Sequence, residues 1–183
     1  MIENDIFYYN IKKNEQIMFK LCRKEDPLKE ITQLLHRSYK FLLDMGLKFL
    51  ATSQSEEITQ ERINDAYKCY VGVYNNKIVA TICLYSPESC DESRWYNKKN
   101  VAKFGQFAVC PELQKYGIGS KMIEIVEQEA RNIQNVTELA LDTAETAYHL
   151  ISYYNKRGYE YKETISWGTT NYNSVILSKH LYK

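Results

Sequence analysis

Glycine and proline are scarce in this chain of 183 residues, at seven and three respectively. With so few, there is no flexible linker or low-complexity tract to divide the chain. One domain over residues 1–183 is therefore expected, with enough length for a sizeable core. No apolar run approaches the roughly 20 residues of a membrane helix. The polar, acidic start from Met1 to Tyr9 lacks the basic-then-apolar pattern of a secretory signal, so a cytoplasmic protein without a membrane partner is expected. The five cysteines (Cys22, Cys69, Cys83, Cys90 and Cys110) include no CxxC pair, and His36, His149 and His180 have no ligand spacing. Neither a metal centre nor a disulfide framework is expected. Charge of one sign is lacking too: 24 Lys+Arg against 23 Asp+Glu leave a formal +1. That removes the broad attraction on which non-specific nucleic-acid binding relies.

What the chain does have is apolar and aromatic material, 44% and 13% of its residues, which excludes disorder. Alternation predicts a first strand over 16–22. Asp26-Pro27 reads as a cap and first helical position, followed by Leu28, Ile31, Leu35, Tyr39 and Leu42 at helical spacing up to Gly46. Ser53 and Glu56 have capping-box spacing ahead of a second helix over 55–66. Strands over 67–74 and 77–85 flank Asn75-Asn76, a tight-turn pair. Residues 86–101, with Trp95 and Tyr96, read as a surface loop that could act as a lid. A strand over 102–110 closes at Pro111. A helix over 117–133, a strand over 138–142, a helix capped by Thr143 and ended by Gly158, and strands over 159–167 and 174–181 complete the chain. The order βααββ, βαβα, ββ implies an α/β (α+β) fold with a mixed, mostly antiparallel sheet.

Two of the seven glycines fall together in Gln114-Lys115-Tyr116-Gly117-Ile118-Gly119-Ser120, between a strand and an amphipathic helix. The first turn of a helix leaves N–H groups without intrahelical partners, and glycine lets an anion approach them closely. The segment reads as a pyrophosphate cradle, or more plainly as a helix start with two glycines. It is no dinucleotide fingerprint, because Met122 stands where a third glycine is needed. Nor is it a P-loop, which ends Gly-Lys-Ser/Thr.

In these residues the sequence resembles the GNAT superfamily of N-acetyltransferases. The family's pyrophosphate signature, Gln/Arg-x-x-Gly-x-Gly/Ala, is met by Gln114, Gly117 and Gly119, after Val109-Cys110-Pro111 at a strand end. Tyr154-Asn155-Lys156-Arg157-Gly158-Tyr159 matches a second hallmark, a tyrosine four residues before a Gly-aromatic pair. The resemblance runs from about residue 16 to the end. It implies a GNAT-like central sheet with helices on both faces, whose fourth and fifth strands, here 102–110 and 138–142, splay into a slot. It also implies acetyl-CoA as cosubstrate. The pantetheine arm would lie along Phe107, Ala108 and Val109, and the pyrophosphate on Tyr116 to Ser120, with Gln114 and Lys115 alongside. Tyr154 would be the acid for the departing thiolate.

Acetyl transfer to an amine also needs a proton acceptor, since a lysine-like amine has a reference pKa of about 10.4. Many relatives place a Glu on the fourth strand, where this chain has Lys103-Phe104-Gly105-Gln106-Phe107. Asp142 is the nearest candidate base and Glu145 another; direct entry of a neutral amine or a water chain stays open. Ala147 stands where relatives often carry a pantetheine-contacting Asn. The resemblance implies an acceptor pocket of Tyr39, Leu43, Phe49, Trp167, Asn171 and Tyr172, suited to the primary amine of a small molecule or a peptide. The missing carboxylate also admits a CoA-binding sensor of the same fold as an alternative. Tyrosines spread through helices and strands argue against an RNA-stacking module. Nothing in the composition speaks against a homodimer.

Overall fold

The computed structural model describes residues 6–13, 15–87 and 92–182; Cys90 lies outside them. Eight strands form one sheet: β1 (Phe7–Lys12), β2 (Glu15–Leu21), β3 (Lys68–Tyr74), β4 (Lys77–Tyr85), β5 (Val101–Val109), β6 (Glu138–Ala144), β7 (Glu160–Ile165) and β8 (Ser174–His180). The helices are α1 (Leu28–Asp44), α2 (Glu56–Asn64), α3 (Ile118–Arg131) and α4 (Tyr148–Asn155). The strand order is β1-β2-β3-β4-β5-β6-β8-β7, antiparallel at every step except the parallel β5–β6 pair. Among the described residues, no helix is long and apolar enough to cross a membrane.

Successive residues of a strand point to opposite faces. On β5, Phe104 meets Tyr154 of α4, with ring centres 6.2 Å apart. Its neighbour Gly105 faces Arg62 of α2. A Thr32–Thr59 hydroxyl hydrogen bond of 2.9 Å ties α1 to α2. Helices therefore cover both faces, and the main core forms between them from residues such as Phe19, Tyr70, Ile82, Met122 and Leu139.

Two irregularities of β5 shape the middle of the sheet. Thr81 pairs with Ala108 and Cys83 with Gly105, so Gln106 and Phe107 together oppose Ile82. This is a bulge, and Gln106 holds a positive φ of 45° there. Its buried side chain is fixed in that strained backbone by an acceptor bond from Gln54 at 2.7 Å and donation to the Thr59 carbonyl. Pairing of β5 with β6 stops at Lys103–Ala140, while β6 continues against β8 to Ala144. Beyond Lys103 the two strands part, which is the expected splay.

The Asn75-Asn76 turn forms as the sequence suggests, with φ of 49° and 60° and Tyr74 paired to Lys77. Gly46 and Gly158 end α1 and α4 in left-handed geometry. At each, the next amide reaches back to close a Schellman motif, Leu47 to Leu42 and Tyr159 to Tyr154.

Several expectations are corrected. The strand β1 was not foreseen. The cap of α2 is Ser55, whose hydroxyl accepts from the Ile58 amide, not Ser53. Asp26 does not cap α1; it pairs with Lys20 and accepts from the Arg23 amide. Thr143 does not cap α4 but lies within β6, and α4 starts after Ala147. The Trp95–Tyr96 segment is no free lid. Tyr96 is buried in a cluster with Val101, Ala140 and Ile176, and Trp95 is held by Lys98 over its ring and by Glu163 on its backbone amide.

Candidate active site

A cleft of about 470 Å³ opens where β5 and β6 part. Nine of the ten residues expected to hold the cofactor line it: Phe107, Ala108 and Val109 on one wall, and Gln114, Lys115, Gly117, Ile118, Gly119 and Ser120 at its end. The tenth, Tyr116, turns towards β1. Its carbonyl accepts from the Tyr9 hydroxyl at 3.1 Å, and Lys12 lies over its ring.

The glycine segment enters α3 in an unusual backbone. Lys115 and Gly117 both have positive φ, 71° and 81°. No side chain caps the helix start, so its first N–H groups stay available. A side chain at Gly117 would meet the Tyr9 hydroxyl at 2.3 Å. At Gly119 a Cβ would fall 3.1 Å from Phe107 and 3.2 Å from the Tyr153 hydroxyl. The loop thus has room only for backbone, which suits an anion held by amides. A cation missed at the sequence level stands beside it. Arg157 stacks on Tyr153 with its central carbon 3.6 Å from the ring centre, donates to the Tyr153 carbonyl, and hydrogen-bonds Ser120. It lines the cleft, adding positive charge to the helix terminus.

Along the slot, the bulge wall is anchored by α1. Tyr39 donates to the Phe107 carbonyl and Ser38 to the Val109 carbonyl, both at 3.1 Å. Gln114 also donates to the Val109 carbonyl, at 3.3 Å. Across the gap, the Thr143 hydroxyl is buried in the cleft wall without a hydrogen-bond partner among the described residues. Such an orphan is uncommon in folded proteins and fits a slot that takes a polar ligand chain. Ala147, where an Asn would be usual, is fully buried and offers no polar contact.

Tyr154 and Asp142 meet at the same cleft. Tyr154 is buried, and its hydroxyl has no hydrogen-bond partner among the described residues. Burial pushes its pKa well above the ordinary tyrosine value, with smaller contributions from Tyr39, Tyr153 and the Asp142 charge. It therefore keeps its proton across the neutral range. Asp142 accepts three hydrogen bonds: from Tyr96 at 3.3 Å, Trp167 Nε1 at 3.2 Å and Ser174 at 3.1 Å. Its carboxylate is aimed by three side chains from separate segments.

The other candidates divide. Gln106 faces α2 and is spent on the bulge, and Glu145 is bonded to Asn173 outside the cleft lining. Tyr39 and Phe49 line the cleft and meet edge-to-face at 5.5 Å, with Tyr172 4.7 Å beyond Phe49. Leu43 is exposed, and the neighbouring Leu42 takes its place at the cleft. Trp167 stacks on Tyr96, 6.0 Å between centres. Asn171 is a clasp: its amide accepts from the Lys48 backbone N–H and donates to the Gly46 carbonyl.

The acetyltransferase (GNAT) family profile matches residues 28–159. The S-(2-succino)cysteine N-acetyltransferase of Bacillus subtilis (strain 168) is 28% identical over 136 residues, covering 74% of this chain and 79% of that protein. The S-alkylcysteine N-acetyltransferase of the same strain is 24% identical over 148 residues, covering 78% of each. A GNAT family acetyltransferase from Elizabethkingia anophelis, solved with acetyl-CoA bound, shares the fold. Its TM-score is 0.63 at 18% identity, covering 92% of this chain and 99% of that one. With the family profile matched across both motifs, this chain belongs to the GNAT family of acetyltransferases.

Proposed function

We propose that the protein acetylates the α-amine of a small amino acid, an S-substituted cysteine being the favoured acceptor. The observation that carries the chemistry is the convergence of Tyr154 and Asp142 on the cleft that begins at the uncapped start of α3. In this reading the amides from Gly117 to Ser120, with Arg157 and Lys115, hold the pyrophosphate. The β5 backbone at Phe107 to Val109 pairs with the pantetheine arm and steadies the oxyanion of the attacked thioester. Asp142 receives the acceptor's ammonium and takes its proton. Tyr154, still protonated, supplies one to the thiolate as it leaves, a thiol with a reference pKa of about 8.5.

Two features support a small acceptor over a peptide. The Asn171 clasp ties the β7–β8 connection to the segment after α1, next to the aromatic cluster of Tyr39, Phe49 and Tyr172, which limits the room for a long acceptor. Both Bacillus subtilis relatives are named for cysteine derivatives. We assign the protein to the cytoplasm, where its four described cysteines, all free, stay reduced.

The test is thiol release from acetyl-CoA across a panel of S-(2-succino)cysteine, S-methylcysteine, a peptide with a free N-terminus and a polyamine, with products identified by mass spectrometry. N-acetylated cysteine derivatives are expected. Turnover of the peptide or polyamine alone would overturn the acceptor class. Acetyl-CoA binding with no release from any amine would overturn the catalytic reading.

A further inference from the structure

Six lysines are half-buried: Lys20, Lys68, Lys103, Lys121, Lys162 and Lys179. Five have a carboxylate partner, namely Asp26, Glu129, Glu124, Glu160 and Glu127 in turn. Lys103 has none among the described residues. Partial burial of a charge costs solvation that a partner normally returns. The absence is therefore informative, and so is its place. Lys103 is the last β5 residue paired with β6 before the strands part.

The surroundings of Lys103 lead to the reacting end of the cleft. Its ammonium lies 5.3 Å from the Tyr96 ring centre, and the Tyr96 hydroxyl holds Asp142. On the other side it lies 5.8 Å from the Tyr85 ring centre. Tyr85 in turn donates to the Arg62 carbonyl. Gly105, two residues along and on the same face, leaves space beside the Arg62 guanidinium; a Cβ there would sit 3.3 Å from Nη2. Arg62 Nη1 is committed to Gln54, but no carboxylate among the described residues pairs with this cation either. One acidic group of the cleft lining and two cations beyond it thus follow one another along this face of the sheet, separated by tyrosine rings.

We infer that Lys103, assisted by Arg62, forms a carboxylate-reading end of the acceptor site, so that the preferred acceptor carries a carboxylate on its side chain besides the one every amino acid has. Asp142 meets the ammonium, and the two cations meet the two carboxylates. An acidic S-substituent is therefore favoured over a neutral alkyl one. This inference rests on the amine-acetylation reading above and deepens it.

The experiment compares S-(carboxymethyl)cysteine with S-(carbamoylmethyl)cysteine, which has nearly the same shape without the charge. The readout is the ratio of their kcat/KM values, in which any loss of folded enzyme cancels. The wild type is expected to favour the carboxylate by about 10- to 100-fold, the range of a charge-assisted contact. Lys103→Met should bring the ratio towards 1. Arg62→Gln, which can still bond Gln54, should lower the ratio as well. A wild-type ratio near 1, or a ratio unmoved in both variants, overturns the inference and leaves amine acetylation standing. No acetylation of either acceptor overturns both.

Discussion

Replacing Gly117 by alanine tests the link between β1 and the anion loop. At φ of 81°, any residue with a Cβ is strained, by about 1–2 kcal/mol. The added methyl would also lie 2.3 Å from the Tyr9 hydroxyl, so the hydroxyl must leave the Tyr116 carbonyl. Losing that bond costs roughly another 1 kcal/mol. The sum of about 2–3 kcal/mol corresponds to a fall in Tm of roughly 5–10 °C for a chain of this size. Tyr9→Phe separates the two parts. Without the hydroxyl the next atom of the ring is 3.4 Å away, an ordinary contact. In that background Gly117→Ala should cost only the backbone part, and the double-mutant cycle should close with a coupling of about 1 kcal/mol. Chemical denaturation of the four proteins measures it. Equal costs in both backgrounds would refute the steric link, and a single-variant cost below about 0.5 kcal/mol would refute the backbone argument as well.

Three further outcomes are expected. Tyr154→Phe should lower kcat by about 10²- to 10³-fold while the acetyl-CoA Kd from calorimetry moves less than about twofold; a parallel loss of both would make Tyr154 a packing residue. Arg157→Met should raise the KM for acetyl-CoA by about tenfold without changing the KM of the acceptor, because the cation sits on Ser120 at the helix start. The third concerns alkaline pH. Burial of the Tyr39 hydroxyl pushes its pKa up to about 12. The unfolded chain ionises first, near pH 10, so the contribution is complete below that and is lost as pH climbs towards 12. Stability should therefore fall by roughly 1–3 kcal/mol over that window, and Tyr39→Phe should flatten the fall.

What could be read in the sequence, and what could not, follows from the range of the interactions. The Asn75-Asn76 turn, the Gly46 and Gly158 helix ends and the glycine segment are set by φ, a property of one residue, and all appear as the residues imply. The bulge at Gln106 is also a φ effect, but what holds it is Gln54 and Thr59, far off in sequence. No local pattern announces it. The strand β1 was missed because it is an edge strand with only Tyr9 and Ile11 leaning on the core, so its alternation is faint. Arg157 carries no signal of its own in the sequence, and only its packing on Tyr153 turns it into the cleft. Leu43 came from the resemblance; helical spacing itself puts Leu42 on the inner stripe, and that is where it lies. The Trp95–Tyr96 segment is a loop, as read, but its being packed down rather than free was not legible because its partner, Glu163, lies on β7.

The parting of β5 from β6 leaves two strand edges inside the molecule instead of at its rim. Edges at a rim recruit other chains; these are recessed, with Ser38 and Tyr39 of α1 already resting on the carbonyls of one of them. The sheet is in that sense unfinished, and a ligand threaded into the gap acts as its missing strand. Whatever fills it joins the native state and not the unfolded chain, so cofactor concentration becomes a setting for the protein's own melting temperature. At a hundredfold excess over Kd the gain is about 2.7 kcal/mol, enough to offset a substitution such as Gly117→Ala. A cell short of acetyl-CoA would hold this protein in its least stable form.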